Sequence, residues 1–191
     1  LKSESALHYD VSYRIDSASL GNWAISVFAS DTDDMIQSVI IAPNACTSAP
    51  CSQMQNTGNV RTHGAELSVN TQVLGFDTGL NYTWIDRENR SNPNILLIDS
   101  PRQSGFAYVT RTIRDLSLTA SVQGNAERVN SSDGRQRAPG FVTADLKGSL
   151  QLMESGRVEI GVSNLFDRLY TYAEGFPEEG RGYYVNLNWT F

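Results

Sequence analysis

Apolar and polar residues alternate one for one along most of this chain, and turn-forming segments break the alternation at intervals. Leu7, Tyr9, Val11, Tyr13 and Ile15 interleave with His8, Asp10, Ser12, Arg14 and Asp16. After a turn at 17–22, Trp23, Ile25, Val27 and Ala29 oppose Ala24, Ser26, Phe28 and Ser30. Ala65, Leu67, Val69 and Thr71 then alternate with Gly64, Glu66, Ser68 and Asn70. Across a short turn at 73–75, Phe76, Thr78, Leu80, Tyr82 and Trp84 alternate with Asp77, Gly79, Asn81 and Thr83. Successive side chains of a strand point to opposite faces, so each run predicts a strand with one greasy face and one polar face.

The pattern continues to the end. A fifth strand puts Phe106, Tyr108 and Thr110 on the apolar face and Arg111 on the polar one. The sixth sets Leu116, Leu118, Ala120 and Val122 against Ser117, Thr119, Ser121 and Gln123. In the seventh, Val142, Ala144, Leu146 and Leu150 oppose Thr143, Asp145, Lys147 and Ser149, and after a turn at 153–156 an eighth carries Val158, Ile160 and Val162. The last runs Tyr183, Val185, Leu187, Trp189 against Tyr184, Asn186, Asn188, Thr190, and the chain closes on Phe191. The expectation is an all-β, antiparallel fold of about nine strands.

In a soluble protein the greasy face meets a core; in an outer-membrane barrel it meets lipid while the polar face lines a watery lumen. Two regularities select the barrel. Connections alternate short and long: tight turns near 17–22, 73–75, 114–115 and 153–156, and long polar segments at 31–59, 86–104, 130–137 and 164–180. Transmembrane barrels keep this order, with short turns at one end and long loops at the other. Aromatic residues gather at strand ends, with Trp23 and Phe76 beside short turns and Tyr82, Trp84 and Tyr183 toward long loops, as two interfacial girdles require. The outward positions carry almost no charge, whereas the inward set holds Asp10, Arg14, Glu66, Asp77, Arg111, Asp145, Lys147, Arg157 and Glu159.

Composition narrows the field. A net charge of −6 argues against a nucleic-acid partner, since neutralising phosphates needs a basic surface. No apolar run approaches the roughly 20 residues of a spanning helix, a limit that leaves alternating strands untouched. The first residues, Leu1 to Ser5, have no basic start followed by an apolar core, so a leader is expected to lie outside this stretch. An odd strand count points the same way, because single-chain bacterial barrels close with an even number. Cys46 and Cys51, in Cys-Thr-Ser-Ala-Pro-Cys, are expected to form a disulfide clipping a loop; two thiols are too few for a structural zinc site. No catalytic constellation is visible: His8 and His63 are far apart and no Ser/His/Asp arrangement is suggested. An outer-membrane phospholipase or protease barrel is the enzyme alternative.

Val162-Ser-Asn-Leu-Phe-Asp-Arg-Leu-Tyr170, then Glu174-Gly-Phe-Pro-Glu-Glu-Gly-Arg181, then the strand to Phe191, resemble the carboxy terminus of TonB-dependent outer-membrane receptors. Asn59 to Ser68 is similar to that family's Gly-x-Glu strand, and 22–37 to its barrel hairpins. The resemblance covers the whole chain, 1–191, and implies the last part of a barrel of twenty-two strands around an amino-terminal plug. It implies TonB-energised import of a scarce ligand, a ferric siderophore first, with heme, cobalamin and saccharides open. The plug, the TonB box and the earlier strands are expected elsewhere in the receptor. Implied partners are outer-membrane lipid, those missing parts, the TonB complex and the barrel-assembly machinery, with no cofactor. The alternating residues Tyr183, Val185, Leu187, Trp189 and Phe191 become the implied assembly signal.

Arginine forks and aromatic faces suit anionic chelates. The candidate ligand contacts are therefore Arg87, Arg90, Arg102, Arg128, Arg135, Arg137 and Tyr172. The greasy run 95–98 is expected to touch a neighbouring loop, with a ligand contact as the alternative, and 164–167 to shape the exit of the eighth strand. A passive porin or translocator barrel, and a soluble β-domain that binds through its loops, are the alternatives.

Overall fold

The computed structural model describes residues 1–41 and 51–190. β1 (Ser5–Ser17) and β2 (Gly21–Asp33) form the first hairpin, and β3 (Ile36–Ile41) with β4 (Cys51–Asn56) a small one beyond it. β5 (Val60–Val73), β6 (Phe76–Asn89), β7 (Gln103–Ile113) and β8 (Leu116–Asn125) follow. β9 (Arg128–Val129) pairs β10 (Arg137–Ala138) ahead of β11 (Phe141–Met153) and β12 (Gly156–Ser163). A last small hairpin, β13 (Thr171–Ala173) and β14 (Phe176–Pro177), precedes β15 (Gly182–Trp189).

The long strands make one nine-stranded antiparallel meander in the order β1-β2-β5-β6-β7-β8-β11-β12-β15. They coincide with the strands expected from alternation. The register converts each strand's pattern into two opposed surfaces. One cross-strand row reads Tyr13, Ile25, Leu67, Tyr82, Gly105, Gly124, Val142. A row on the other face reads Ser12, Ser26, Glu66, Thr83, Ser104, Asn125. Slipping any strand by one residue would exchange the two sets, which is why alternation specifies register so strongly. Short connections follow from turn chemistry. Leu74 and Gly75 both take positive φ, 52° and 75°, as a tight two-residue hairpin turn demands, and glycine tolerates this without strain.

The apolar face has no packing partner among the described residues. Val11 is 70% exposed and Leu187 66%, and the exposed set extends from β1 to β15. A continuous apolar surface of this size marks a non-aqueous partner. Among the described residues the buried apolar side chains lie mostly at the long-loop end, where Val39, Val60, Ala138 and Phe141 are buried; Val69, on the apolar face between Trp23 and Leu80, is the exception. Long loops read from composition alone as polar connections thus carry small hairpins of their own.

Two expectations need correction. Strand five has the opposite parity to the one read from sequence: Gly79 faces Tyr108 and Leu80 faces Ala107, so Phe106, Tyr108 and Thr110 lie on the polar side. Ala107, Val109 and Arg111 join the apolar side. The cause is register: neighbours dictate the face, and the Tyr108 ring is accommodated opposite Gly79 rather than being driven outward. Several strands also run further toward the long loops than the pattern suggests, β2 to Asp33 and β6 to Asn89. The apolar pattern stops before these extensions because they leave the greasy band. On the outward face there, Asp31 and Arg61 pair at 2.9 Å, and Asp86 pairs with Arg102.

Candidate functional site

The described residues of the long connections, L1 (34–59), L2 (90–102), L3 (126–140) and L4 (164–181), lie at one end of the sheet and are stitched together in order. The Gln37 amide of L1 donates to Leu96 O at 3.0 Å, and Ile40 N donates to Ser132 Oγ at 2.8 Å. Leu96 N donates to Ser132 O, so the 95–98 run is held between loops as expected. Further along, Asp99 N donates to Val129 O, and Glu174 N of L4 donates to Asn130 Oδ1 of L3. Ser131 and Ser132 are buried and hydrogen-bonded, a satisfied polar lining rather than a solvated tip.

L4 leaves β12 through a built corner. Asn164 is buried, with φ of 48°, and its side chain accepts from Arg168 N and donates to Arg168 O, both at 2.8 Å. Asp145 on β11 accepts from Asn164 N, and Asp167 accepts from Arg181 N at 2.8 Å. The segment 164–167 therefore shapes the strand exit, as its sequence suggests.

This corner brings Tyr170 and Tyr172 onto Phe141, the first residue of β11, which belongs to the polar face of the sheet. Centroid separations are 4.4 Å from Phe141 to Tyr170, 5.2 Å to Tyr172 and 5.9 Å between the tyrosines. Arg128 stacks over the Tyr172 ring at 5.0 Å. Among the described residues Arg128 makes no ion pair, so its charge remains available to an anion. Burial, followed by the neighbouring Tyr172, raises the Tyr170 phenol above its ordinary value.

The other candidates fall into separate environments. Arg137 is fixed beside the cluster by Glu127 at 2.6 Å and by Gly134 O at 2.9 Å. Arg135 sits over Asp133 at 3.5 Å on the open side of L3. Arg87 is on β6, not in a loop; its guanidinium donates to Ile98 O at 3.4 Å and reaches Met35 Sδ at 3.8 Å. Arg90 is exposed, with its backbone N–H on Asn59 O. Arg102 pairs with Asp86 on the outward face, beyond Trp84 and on the side away from the polar surface. The geometry thus gathers Arg128, Arg137 and Tyr172 and scatters the rest. Phe141 and Tyr170 escaped the sequence reading, although an aromatic directly after Pro139-Gly140 and out of phase with Val142 was a usable signal.

Cys46 lies outside the described residues, while Cys51 opens β4 opposite Ile41. Tyr183, Val185, Leu187 and Trp189 share the exposed apolar face of the edge strand β15; Phe191 lies outside the described residues. Among the described residues no cluster of His, Cys, Asp and Glu could hold a metal ion directly.

A family model described as TonB dependent receptor-like, beta-barrel, matches residues 1–165. Among solved structures, the chain is similar to the copper transporter OprC, with a TM-score of 0.86 and 19% identity over 98% of this chain and 32% of that one. It is similar to a ferric enterobactin receptor from Pseudomonas aeruginosa, PfeA (TM-score 0.77, 21% identity, 100% of this chain and 32% of that chain). It is also similar to the ferric yersiniabactin uptake receptor FyuA from Yersinia pestis (TM-score 0.73, 20% identity, 96% of this chain and 28% of that chain). At these identities the likeness concerns the fold, and the chain spans about a third of the length of these structures.

Proposed function

The chain belongs to the TonB-dependent receptor β-barrel family, and on that footing we propose that it is the carboxy-terminal barrel segment of an outer-membrane uptake receptor. Residues 1–191 supply nine strands of the wall and the loops above them. The greasy face meets lipid and the polar face meets a plug contributed by the rest of the receptor. TonB, acting through parts outside this stretch, supplies the energy, and the β15 edge is presented to the assembly machinery. The family is one of transport receptors, and the segment has no catalytic role.

The cargo class proposed is an anionic metal chelate, a ferric siderophore first. One observation carries it: Arg128, without an ion-pair partner among the described residues, stacked on Tyr172 beside Phe141 and Tyr170 at the loop end of the polar face. A guanidinium over an aromatic platform offers both charge and a flat surface to a chelate of planar, negatively charged arms. The test is growth and uptake in a strain lacking the full-length receptor, on a panel of siderophores, heme, cobalamin and saccharides under iron limitation. Loss of one ferric siderophore is expected. Unchanged uptake of every siderophore sinks the iron reading, and uptake that persists without TonB favours a passive barrel.

A further inference from the structure

The apolar face is not evenly covered. Between β7 and β15 it carries an open groove of about 750 Å3, lined almost wholly by carbon. One wall is the cross-strand row Arg111, Leu118, Gly148, Ile160, Val185. The next row contributes Ala120 opposite Leu146. The gap exists because Gly148 and Ala120 are small where their neighbours are branched; a Cβ on Gly148 would stand 3.5 Å from Leu118 Cδ2 and 3.7 Å from Ile160 Cγ1.

One end of this groove is charged. Arg111 lies two residues from the end of β7, at the short-turn edge of the band. Its guanidinium stands 5.1 Å from the Phe76 ring, and Nη1 donates to Leu74 O at 3.2 Å and to Gly75 O. Carbonyl oxygens and a ring hold the group in place without neutralising it, and no carboxylate pairs with it among the described residues. Long cationic side chains near the edge of an apolar span reach for the headgroup layer. From Arg111 the groove runs to Val185, midway along β15 and hence deeper in the band.

We propose that this groove seats one anionic glycerophospholipid from the leaflet on the short-turn side. The phosphate lies on Arg111 and an acyl chain lies in the gap over Gly148. The inference rests on the reading that this face meets lipid. Charge complementarity selects the occupant, since a second copy of the chain would bring no anion to Arg111 from its own greasy band.

The test uses the full-length receptor in bilayers of phosphatidylcholine containing a minor share of spin-labelled phosphatidylglycerol. An immobilised label is expected, with preference over labelled phosphatidylcholine. Arg111→Gln lowers that preference about fivefold, the factor expected for one interfacial cation, and Arg111→Lys retains most of it. Gly148→Leu fills the gap and removes the immobilised component with the arginine still present. Equal immobilisation of both lipids, or wild-type behaviour of both Arg111→Gln and Gly148→Leu, overturns the proposal. A receptor dimer that Gly148→Leu dissociates also overturns it, in favour of a second copy. Failure to insert into bilayers defeats the membrane reading itself, whereas insertion without lipid preference defeats this inference alone.

Discussion

Tyr108 lies across Gly79, its direct partner in the β6–β7 register, so closely that a Cβ on residue 79 would stand 2.7 Å from the ring's Cζ. The phenol reaches past the glycine to donate to Asn70 Oδ1 at 3.2 Å. The same device recurs where Phe28 faces Gly64 and Tyr184 faces Gly161 on the polar face, and where Trp189 faces Gly156 on the apolar face. Rings cover bare backbone that would otherwise be left wet or unpacked, and each pair fixes the register of two strands. Gly79→Val is therefore expected to lower stability by about 1–3 kcal/mol, as overpacking does. Gly105→Ala, whose Cβ would meet Asn81 O and Tyr82 Cδ2 at 3.7 Å, is expected to be tolerated. Urea unfolding midpoints of the full-length receptor in lipid vesicles give the comparison, and equal losses for both variants would remove the special role of the ring.

The two faces of the β2–β5 pair should respond differently to charge. Val27 sits at the middle of β2 on the apolar side, half-exposed, while Ser68 lies on the polar side of the paired strand β5. Val27→Arg is expected to cost about 2–4 kcal/mol in a bilayer and Ser68→Arg little, since cost falls on the lipid face alone. Assembly yield in the outer membrane measures this. If Val27→Arg assembled like the parent, the apolar face would not be the lipid face.

How legible was this architecture? Strand existence and facing could be read directly, because a one-residue slip exchanges greasy and polar sets, and Leu7 to Ile15 or Ala65 to Thr71 leave no choice. Strand five failed because its signal came from ring size: Phe106 and Tyr108 look like lipid-facing residues until Gly79 supplies a reason for a ring on the polar side. Loop structure was the least legible. The hairpins β3–β4 and β9–β10 are held by contacts such as Ile40 N to Ser132 Oγ, across 92 residues, and no local pattern announces a partner that far away. The arginines show the same limit, since composition marks all of them and only tertiary placement separates Arg128 from Arg102.

Asn164 makes a structural prediction with a built-in control. Its amide satisfies both backbone groups of Arg168 from a left-handed conformation. Asn164→Ala is expected to destabilise the L4 corner by about 1–3 kcal/mol, the cost of leaving buried groups unmet. Asn164→Gly relieves the backbone yet restores no hydrogen bond, so it should recover only part of the loss. Protease nicking within 164–181 reports it, and full recovery by glycine would assign the effect to φ alone.

L3 carries a pH dependence with a defined sign. The Asp133 carboxylate accepts from Ser131 Oγ at 2.6 Å and from Arg135 N at 3.1 Å; these, with the nearby guanidinium, hold it below the ordinary value of 3.8. A depressed folded value means the turn gains from the ionised form above the unfolded value and loses that gain as pH falls through the folded one. Order in 131–136 should therefore be flat from neutral pH down to about 4 and weaken only below it. Amide exchange of Arg135 against pH follows this directly. Asp133→Asn should abolish the dependence, and a transition near neutral pH would contradict the assignment.

The scattered arginines allow the ligand site to be located by difference. Arg128 has no carboxylate partner among the described residues and stacks on Tyr172, whereas Arg102 is engaged with Asp86 on the outward face. Removing a guanidinium that meets a bound anion costs about 1.5–3 kcal/mol, a 10- to 150-fold weakening at about 1.4 kcal/mol per tenfold. Arg128→Ala is expected to weaken chelate binding by about that factor. Tyr172→Ala removes the platform as well as a contact, and because the two residues form one unit the double variant should lose much less than the product of the two single losses. Arg102→Ala is expected to bind like the parent. Titration of the purified full-length receptor with the ferric siderophore that its deletion strain cannot use supplies the affinities. An undiminished affinity in Arg128→Ala, together with a loss in Arg102→Ala, would move the binding surface from the lumen mouth to the outer rim.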